Sequence, residues 1–177
     1  VRRGAWNDAT TWDCQCIPSL DDMVQVDHEV GLSEDAFCTS LTVTSSGQVF
    51  DVEDVTLTLG GDLVALRPLS LDRVHLTFTG EGIDHTVAAH ATVARLIAQP
   101  GASLSLEGDV LVTERATADN ATITVDPAGS LILGNGPLGR ASALRPGTGE
   151  IFGLVTREII LPATANHGTL NTVEQRV

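Results

Sequence analysis

A short apolar phrase recurs through this chain: Leu41-Thr42-Val43, Leu57-Thr58-Leu59, Leu76-Thr77-Phe78 and Ile123-Thr124-Val125, with Arg95-Leu96-Ile97 as a looser relative. Each close copy sets a Thr between two apolar residues, the alternation of a strand with one buried face. The first apolar position moves from residue 41 to 57, 76 and 96, intervals of 16, 19 and 20. A second beat places a glycine just before an apolar residue, in Gly47-Gln48-Val49, Gly61-Asp62-Leu63, Gly108-Asp109-Val110 and Gly129-Ser130-Leu131. Repetition near 20 residues, with turn glycines and no sustained 3.6-residue period, predicts an all-β chain wound as a right-handed parallel β-helix, or β-solenoid.

Strands are expected near 23–27, 30–32, 40–44, 49–52, 55–59, 63–66, 74–79, 93–98, 103–106, 110–113, 121–125 and 130–133. The alanines of residues 86–98 allow a helix, but the repeat spacing favours a strand. Each repeat points a few Val, Leu or Ile side chains inward, each worth about 1.5–3 kcal/mol when buried. One repeat cannot cover its own apolar face, and the open ends of a stack expose unpaired backbone groups. Something must close them. Three parts follow: residues 1–22 as an N-terminal cap in which Trp6, Trp12 and Pro18 cover the first coil, residues 23–134 as the coils, and residues 135–177 as a glycine-rich exit. That exit is punctuated by Gly134, Gly136, Gly139, Gly147, Gly149, Gly153, Pro137 and Pro146, and precedes the run Arg157-Glu158-Ile159-Ile160-Leu161-Pro162. It reads as a C-terminal cap or as a link to a following module or partner.

The composition suits narrow stacked layers. Hydrophobic residues make up 42% of the 177, but aromatics only 3%, and Tyr is absent. No run approaches the roughly 18 apolar residues of a membrane helix, so no membrane insertion is expected. Ten basic residues, all Arg, face 23 acidic ones, a net charge of −13. Such a surface repels phosphate backbones and anionic membranes, which argues against a nucleic-acid partner. The chain starts at Val1 without a leader segment and ends at Val177 without a stop signal of its own, and is read as a processed protein or an excised piece of a longer one.

Three cysteines stand at 14, 16 and 38. Cys14 and Cys16 are too close in sequence to pair without strain, so a bridge from one of them to Cys38 is expected. Closing a loop of 23 to 25 residues, it would contribute about 3 kcal/mol and point to an extracytosolic compartment. A three-thiolate metal site completed by His28 is the alternative, against which stands the usual Cys-x-x-Cys or wider zinc spacing.

The entry Trp6-Asn7-Asp8-Ala9-Thr10-Thr11-Trp12, Cys16-Ile17-Pro18, Asp21-Asp22-Met23-Val24-Gln25-Val26 and then Cys38-Thr39-Ser40-Leu41-Thr42-Val43 with Gly47-Gln48-Val49 resembles the opening of a family of secreted modules of the Bacteroidetes and related phyla. It is also similar to the extracellular domain named for its eight glycines. The exit, with Gly136-Pro137-Leu138-Gly139-Arg140, Pro146-Gly147-Thr148-Gly149-Glu150-Ile151-Phe152-Gly153 and Val155-Thr156-Arg157-Glu158-Ile159-Ile160, is similar to a phrase that closes such stacks, with Glu158-Ile159 in place of an Arg-Tyr pair. The resemblance touches about half the chain. It implies a β-solenoid exported by the type IX secretion system and displayed at the bacterial cell surface, or released from it, as a stalk, adhesin or filament component. It carries over no catalytic residue.

Other chemistry is weighed residue by residue. Asp21 and Asp22, with Asp27, would form a weak Ca²⁺ site; against it, aspartates before a strand commonly serve turn hydrogen bonds. The corner carboxylates Asp51, Glu53, Asp54, Asp62, Asp72, Glu81 and Asp84 would need two groups in close register to cleave a glycosidic bond. They also read as solubility devices. His28, His75, His85, His90 and His167 have no metal-binding spacing; His75 is expected on the outside of a strand, His85 and His90 in a loop. Asn120-Ala121-Thr122 fits a glycosylation sequon by chance. The expected function is therefore a non-enzymatic structural module without a cofactor. It would contact other protein modules or subunits, or itself, through the solenoid ends and residues 135–177. The alternatives are a carbohydrate-binding or polysaccharide-cleaving β-helix and an accessory subunit of a larger surface complex.

Overall fold

The computed structural model describes residues 3–134, 143–145, 147–159 and 171–176. Gly136, Pro137, Gly139, Arg140, Pro146, Ile160, Leu161, Pro162 and His167 lie outside the described residues.

The chain winds as a parallel β-solenoid of about six coils. After the two-residue β1 (Gly4–Ala5) and a 3₁₀ turn over Ala9–Thr11, the first coil is β2 (Met23–Val26), β3 (Glu29–Leu32) and β4 (Ala36–Cys38). The second is β5 (Ser40–Val43), β6 (Gln48–Asp51) and β7 (Val55–Leu59). Coils three to five are β8 (Leu63–Ala65) with β9 (Leu69–Phe78), β10 (Asp84–Ala88) with β11 (Ala91–Ala98), and β12 (Ser103–Leu106) with β13 (Asp109–Ala118). Then come β14 (Thr122–Val125), β15 (Ser130–Leu133), β16 (Ala143–Arg145), β17 (Glu150–Phe152), β18 (Leu154–Ile159) and β19 (Asn171–Arg176).

One face of the stack is the sheet β2-β5-β8-β10-β12-β14-β17. A second runs from β4 through β7, β9, β11, β13, β15 and β18 to β19, with β16 beside β13, and the short sheet β1-β3-β6 forms a third face at the beginning. All these pairings are parallel except that of β18 with β19. In coils three to five two faces fuse, because β9, β11 and β13 run across the corner, with a register shift between Val93 and Arg95. Parallel stacking continues past residue 134: β16 pairs with β13, β17 with β14 and β18 with β15.

The registers explain the recurring phrase. Leu57, Leu76 and Leu96 are direct partners, so the intervals of 19 and 20 are true coil steps. Leu41, however, pairs with Leu63, not Leu57. The interval of 16 is a step around one coil, from β5 to β7. The same column continues to Ala116 and Leu144. On the seven-stranded face Val24, Leu41, Leu63, Val87, Leu106 and Val125 stack in one buried column. The core is this set of columns, a continuous apolar rod threaded through every coil.

The glycine beat has a steric cause. A Cβ on Gly47 would lie 1.9 Å from the Val26 carbonyl oxygen, and one on Gly108 2.2 Å from that of Ala89. Each of these corners rests directly on the backbone of the preceding coil.

Three strand predictions need correction. Residues 36–38 form a strand too short for its alternation to stand out. Residues 69–73 and 114–118 extend β9 and β13 around the corner. The expected loop holding His85 is β10, and His85 points inward. In Asp84-His85-Thr86-Val87 the alternation is regular, but its inward member is polar, which hid it.

Candidate functional site

At the start of the stack, Trp6 N–H donates to the Gly31 carbonyl at 2.9 Å, and the Trp6 side chain joins the buried core. Trp12 meets its ring edge-on, centroids 5.1 Å apart, and its Nε1–H donates to the Trp6 carbonyl at 2.8 Å. Pro18 is also buried.

The cysteines differ from the expected pairing. Cys14 and Cys16 are bonded to each other at an exposed loop, while Cys38 is free. The physical reason is the direction of Cys38: as the partner of Leu59 in β4, it is an inward residue of a core column. Burial, with a smaller contribution from Asp22, pushes its thiol up to about 12. Cys38 should therefore resist alkylation in the native chain at pH 8 and react once the chain is unfolded in denaturant. Modification at the same rate in both states would contradict its placement.

The three cation candidates serve local turns. Asp22 accepts from the backbone N–H and hydroxyl of Ser19 at 2.9 and 2.8 Å, and these bonds hold its carboxyl below the usual range. Asp27 accepts from the Gln25 amide at 2.9 Å and is likewise lowered, by Gln25 and then Thr44. The backbone N–H of Asp21 donates to the Ser19 hydroxyl. Among the described residues no three His, Cys, Asp or Glu side chains converge as a metal-holding group.

Several aspartates tie one coil to the next. Asp35 accepts from Thr56 N–H and Asp62 from Thr86 N–H, both at 2.8 Å, while Asp119 accepts from Thr148. Asp72 accepts from Ser70 within its own strand. Asp51 ends β6, Glu53 and Asp54 occupy the exposed turn after it, and Glu81 and Asp84 are exposed at the corner before and start of β10.

The most enzyme-like grouping is Ser130, Asp109 and His90, stacked across successive coils. The Ser130 hydroxyl donates to Asp109 at 2.6 Å, and His90 Nδ1 lies 3.3 Å from the other carboxylate oxygen. Asp109 stands in the middle, so this arrangement gives no serine–histidine contact through which a nucleophile would lose its proton.

His75 is half-exposed on the outer side of β9, as its position in the phrase suggested. Its pKa is lowered, chiefly by partial burial and then by Arg95. His85 is 1% exposed, its ring 5.6 Å from that of Phe78. Its Nδ1 lies 3.2 Å from the Gly61 carbonyl, while Nε2 is buried without a partner among the described residues. Such an orphaned polar atom costs stability. His85→Leu, which continues the column of its partner Leu104, should raise the unfolding free energy in urea by about 1 kcal/mol; a loss above about 2 kcal/mol would show that the ring is needed.

What the expected site residues leave out is the outer edge of the first coil. β3 is covered by β1, whereas among the described residues β2 pairs only with β5. A groove of about 320 Å³ runs along β2, lined by Trp12, Asp13, Cys16, Pro18, Asp22 and Met23 among others. Of its lining Met23 is strongly exposed, and Ile17 and Leu20 of the preceding segment are exposed as well. The sequence signal for this end is electrostatic: from Gly4 to Leu66 there are twelve Asp and Glu and not one Lys or Arg. Among the described residues no helix is long and apolar enough to cross a membrane. No protein family, no curated protein and no solved structure matches the chain.

Proposed function

We propose that the chain is a non-enzymatic structural module of an extracellular or bacterial cell-surface protein, a stalk, adhesin or filament component. Its work is done by stacking and by contacts with other protein modules at its ends. Export by a type IX route, implied by the resemblance of its entry and exit phrases, belongs to the same reading. The observation that carries it is the run of buried apolar columns through the coils. A narrow stack of this kind is filled by its own side chains, and each coil depends only on its neighbours.

The test pairs a localisation with an assay. Antibodies raised against the purified chain should label intact source cells, and the chain should release no new reducing ends from a panel of acidic and neutral polysaccharides. Labelling only after lysis would overturn the placement. Turnover abolished by Asp109→Asn would overturn the non-enzymatic reading.

A further inference from the structure

The two ends of the molecule are not alike in charge. Twelve of the 23 carboxylates and none of the ten arginines lie between Gly4 and Leu66, whereas residues 67–177 carry eight arginines against eleven carboxylates. Arg3, paired with Glu29 and lying over the Phe50 ring, is the cation described at that end. Asp13 and Asp22 line the groove beside β2, and Asp21 and Asp27 flank the strand. Hydrogen bonds keep Asp22 and Asp27 ionised well below neutral pH.

The same edge offers backbone groups. The carbonyls of Asp22 and Val26 accept from Thr39 and Thr44 of the next coil. Along a parallel strand alternate residues turn their N–H and C=O to opposite sides. Met23 and Gln25 therefore present theirs outward, toward the groove. The facing wall is held in place by the Cys14–Cys16 bridge, the Trp12 to Trp6 hydrogen bond and the Ser19–Asp22 turn. A preformed slot loses little entropy on binding. Open edges of this kind are sites of strand addition.

We propose that this groove docks an extended basic segment of a partner protein, added to β2 as one further strand. Its alternating side chains would meet two chemistries: apolar residues against Met23 and Trp12, Lys or Arg against Asp13, Asp21 and Asp22. A second copy of this chain fits less well. The far end of the same sheet finishes in Glu150–Phe152, with no cation in the strand, and a net charge of −13 makes copies repel. The proposal rests on the reading of the chain as a contact-making surface module.

The experiment titrates the full chain with a peptide of about eight residues alternating Lys and Val. A Glu/Val peptide and a Lys/Val peptide interrupted by proline are the comparisons. The Lys/Val peptide should bind at least about tenfold more tightly than either and lose about tenfold in affinity between roughly 0.05 and 0.5 M salt. Amide shifts should concentrate at residues 13–26. Gln25→Pro, which removes one outward N–H from an edge strand where proline is tolerated, should abolish binding. Should that variant not fold, Asp13→Lys with Asp21→Lys should give the same loss while thermal unfolding stays at the wild-type midpoint. Equal affinity for the Glu/Val peptide, shifts centred elsewhere, or no binding would overturn the docking site. So would a peptide-independent dimer that Gln25→Pro dissolves, since it would make a second copy the occupant. These outcomes are separate from polysaccharide turnover and from labelling only after lysis, the results that would remove the surface-module reading beneath.

Discussion

Leu76→Ala is expected to lower the unfolding free energy by about 3–5 kcal/mol, toward the upper end of Leu-to-Ala losses. Leu76 is fully buried and stacked between Leu57 of the coil before and Leu96 of the coil after. A cavity costs less where its walls can fall inward, but here the coils on both sides are held at strand spacing by ladder hydrogen bonds, so the void stays. Urea denaturation followed by circular dichroism measures the loss. Leu66→Ala, at a corner position 68% exposed, is the comparison and should change stability by less than about 0.5 kcal/mol. Because coils couple only to their neighbours, the Leu76 variant should also separate unfolding into two steps, one for each side of the third coil. Equal small losses for both variants would mean that Leu76 is not in the core.

Gly108→Ala should cost about 3 kcal/mol or more, beyond the range of ordinary glycine replacements. A methyl group there would stand 2.2 Å from the Ala89 oxygen and 2.6 Å from its carbon, and both are backbone atoms that cannot swing aside. The two coils would have to move apart. Gly82→Ala is the informative contrast. Gly82 has a φ of +70°, but no atom of the described residues lies within 4 Å of the place its added methyl would take, so its replacement carries only the conformational penalty of about 1 kcal/mol. If Gly82→Ala proved the more damaging, the glycine beat would be about backbone conformation and not about contact between coils.

These two positions show how the sequence carried the fold. The inward columns were legible because Val, Leu and Ile alternate with Thr and Ser, and because the coil steps of 19 and 20 residues leave the phrase nearly unchanged. The assignment of strands to faces was not legible. All faces use the same alternation, so Leu41 to Leu57, a step around the coil, looks like Leu57 to Leu76, a step up it. His85 was hidden because a polar residue stands in an inward place, and Ala36-Phe37-Cys38 because its large ring faces out and its small residues face in. The cysteine pairing failed for the same reason: spacing alone does not say that Cys38 points into the core.

The candidate site was partly written in the sequence. The arginine-free stretch from Gly4 to Leu66 can be read directly, and the Trp6–Trp12 entry marks where the stack begins. That β3 is covered by β1 while β2, among the described residues, pairs only with β5 depends on which strands meet, a three-dimensional fact with no local signature. The aspartates at the corners illustrate the converse. Their type was plain, but Asp35 and Asp62 reach the backbone of the next coil, an interaction set by stacking and invisible in spacing.

Each coil of the stack adds one strand spacing, and spin-label distances measure that spacing. With Cys38 replaced by Ala, one label at Thr42 is paired in turn with a second at Thr86, Ser105, Thr124 and Phe152, which form one column on successive coils. The distances should lengthen in that order, by about 4–5 Å at each step. Distances that do not increase in that order, or that jump by more than about twice this spacing between Ser105 and Thr124, would contradict a parallel β-solenoid.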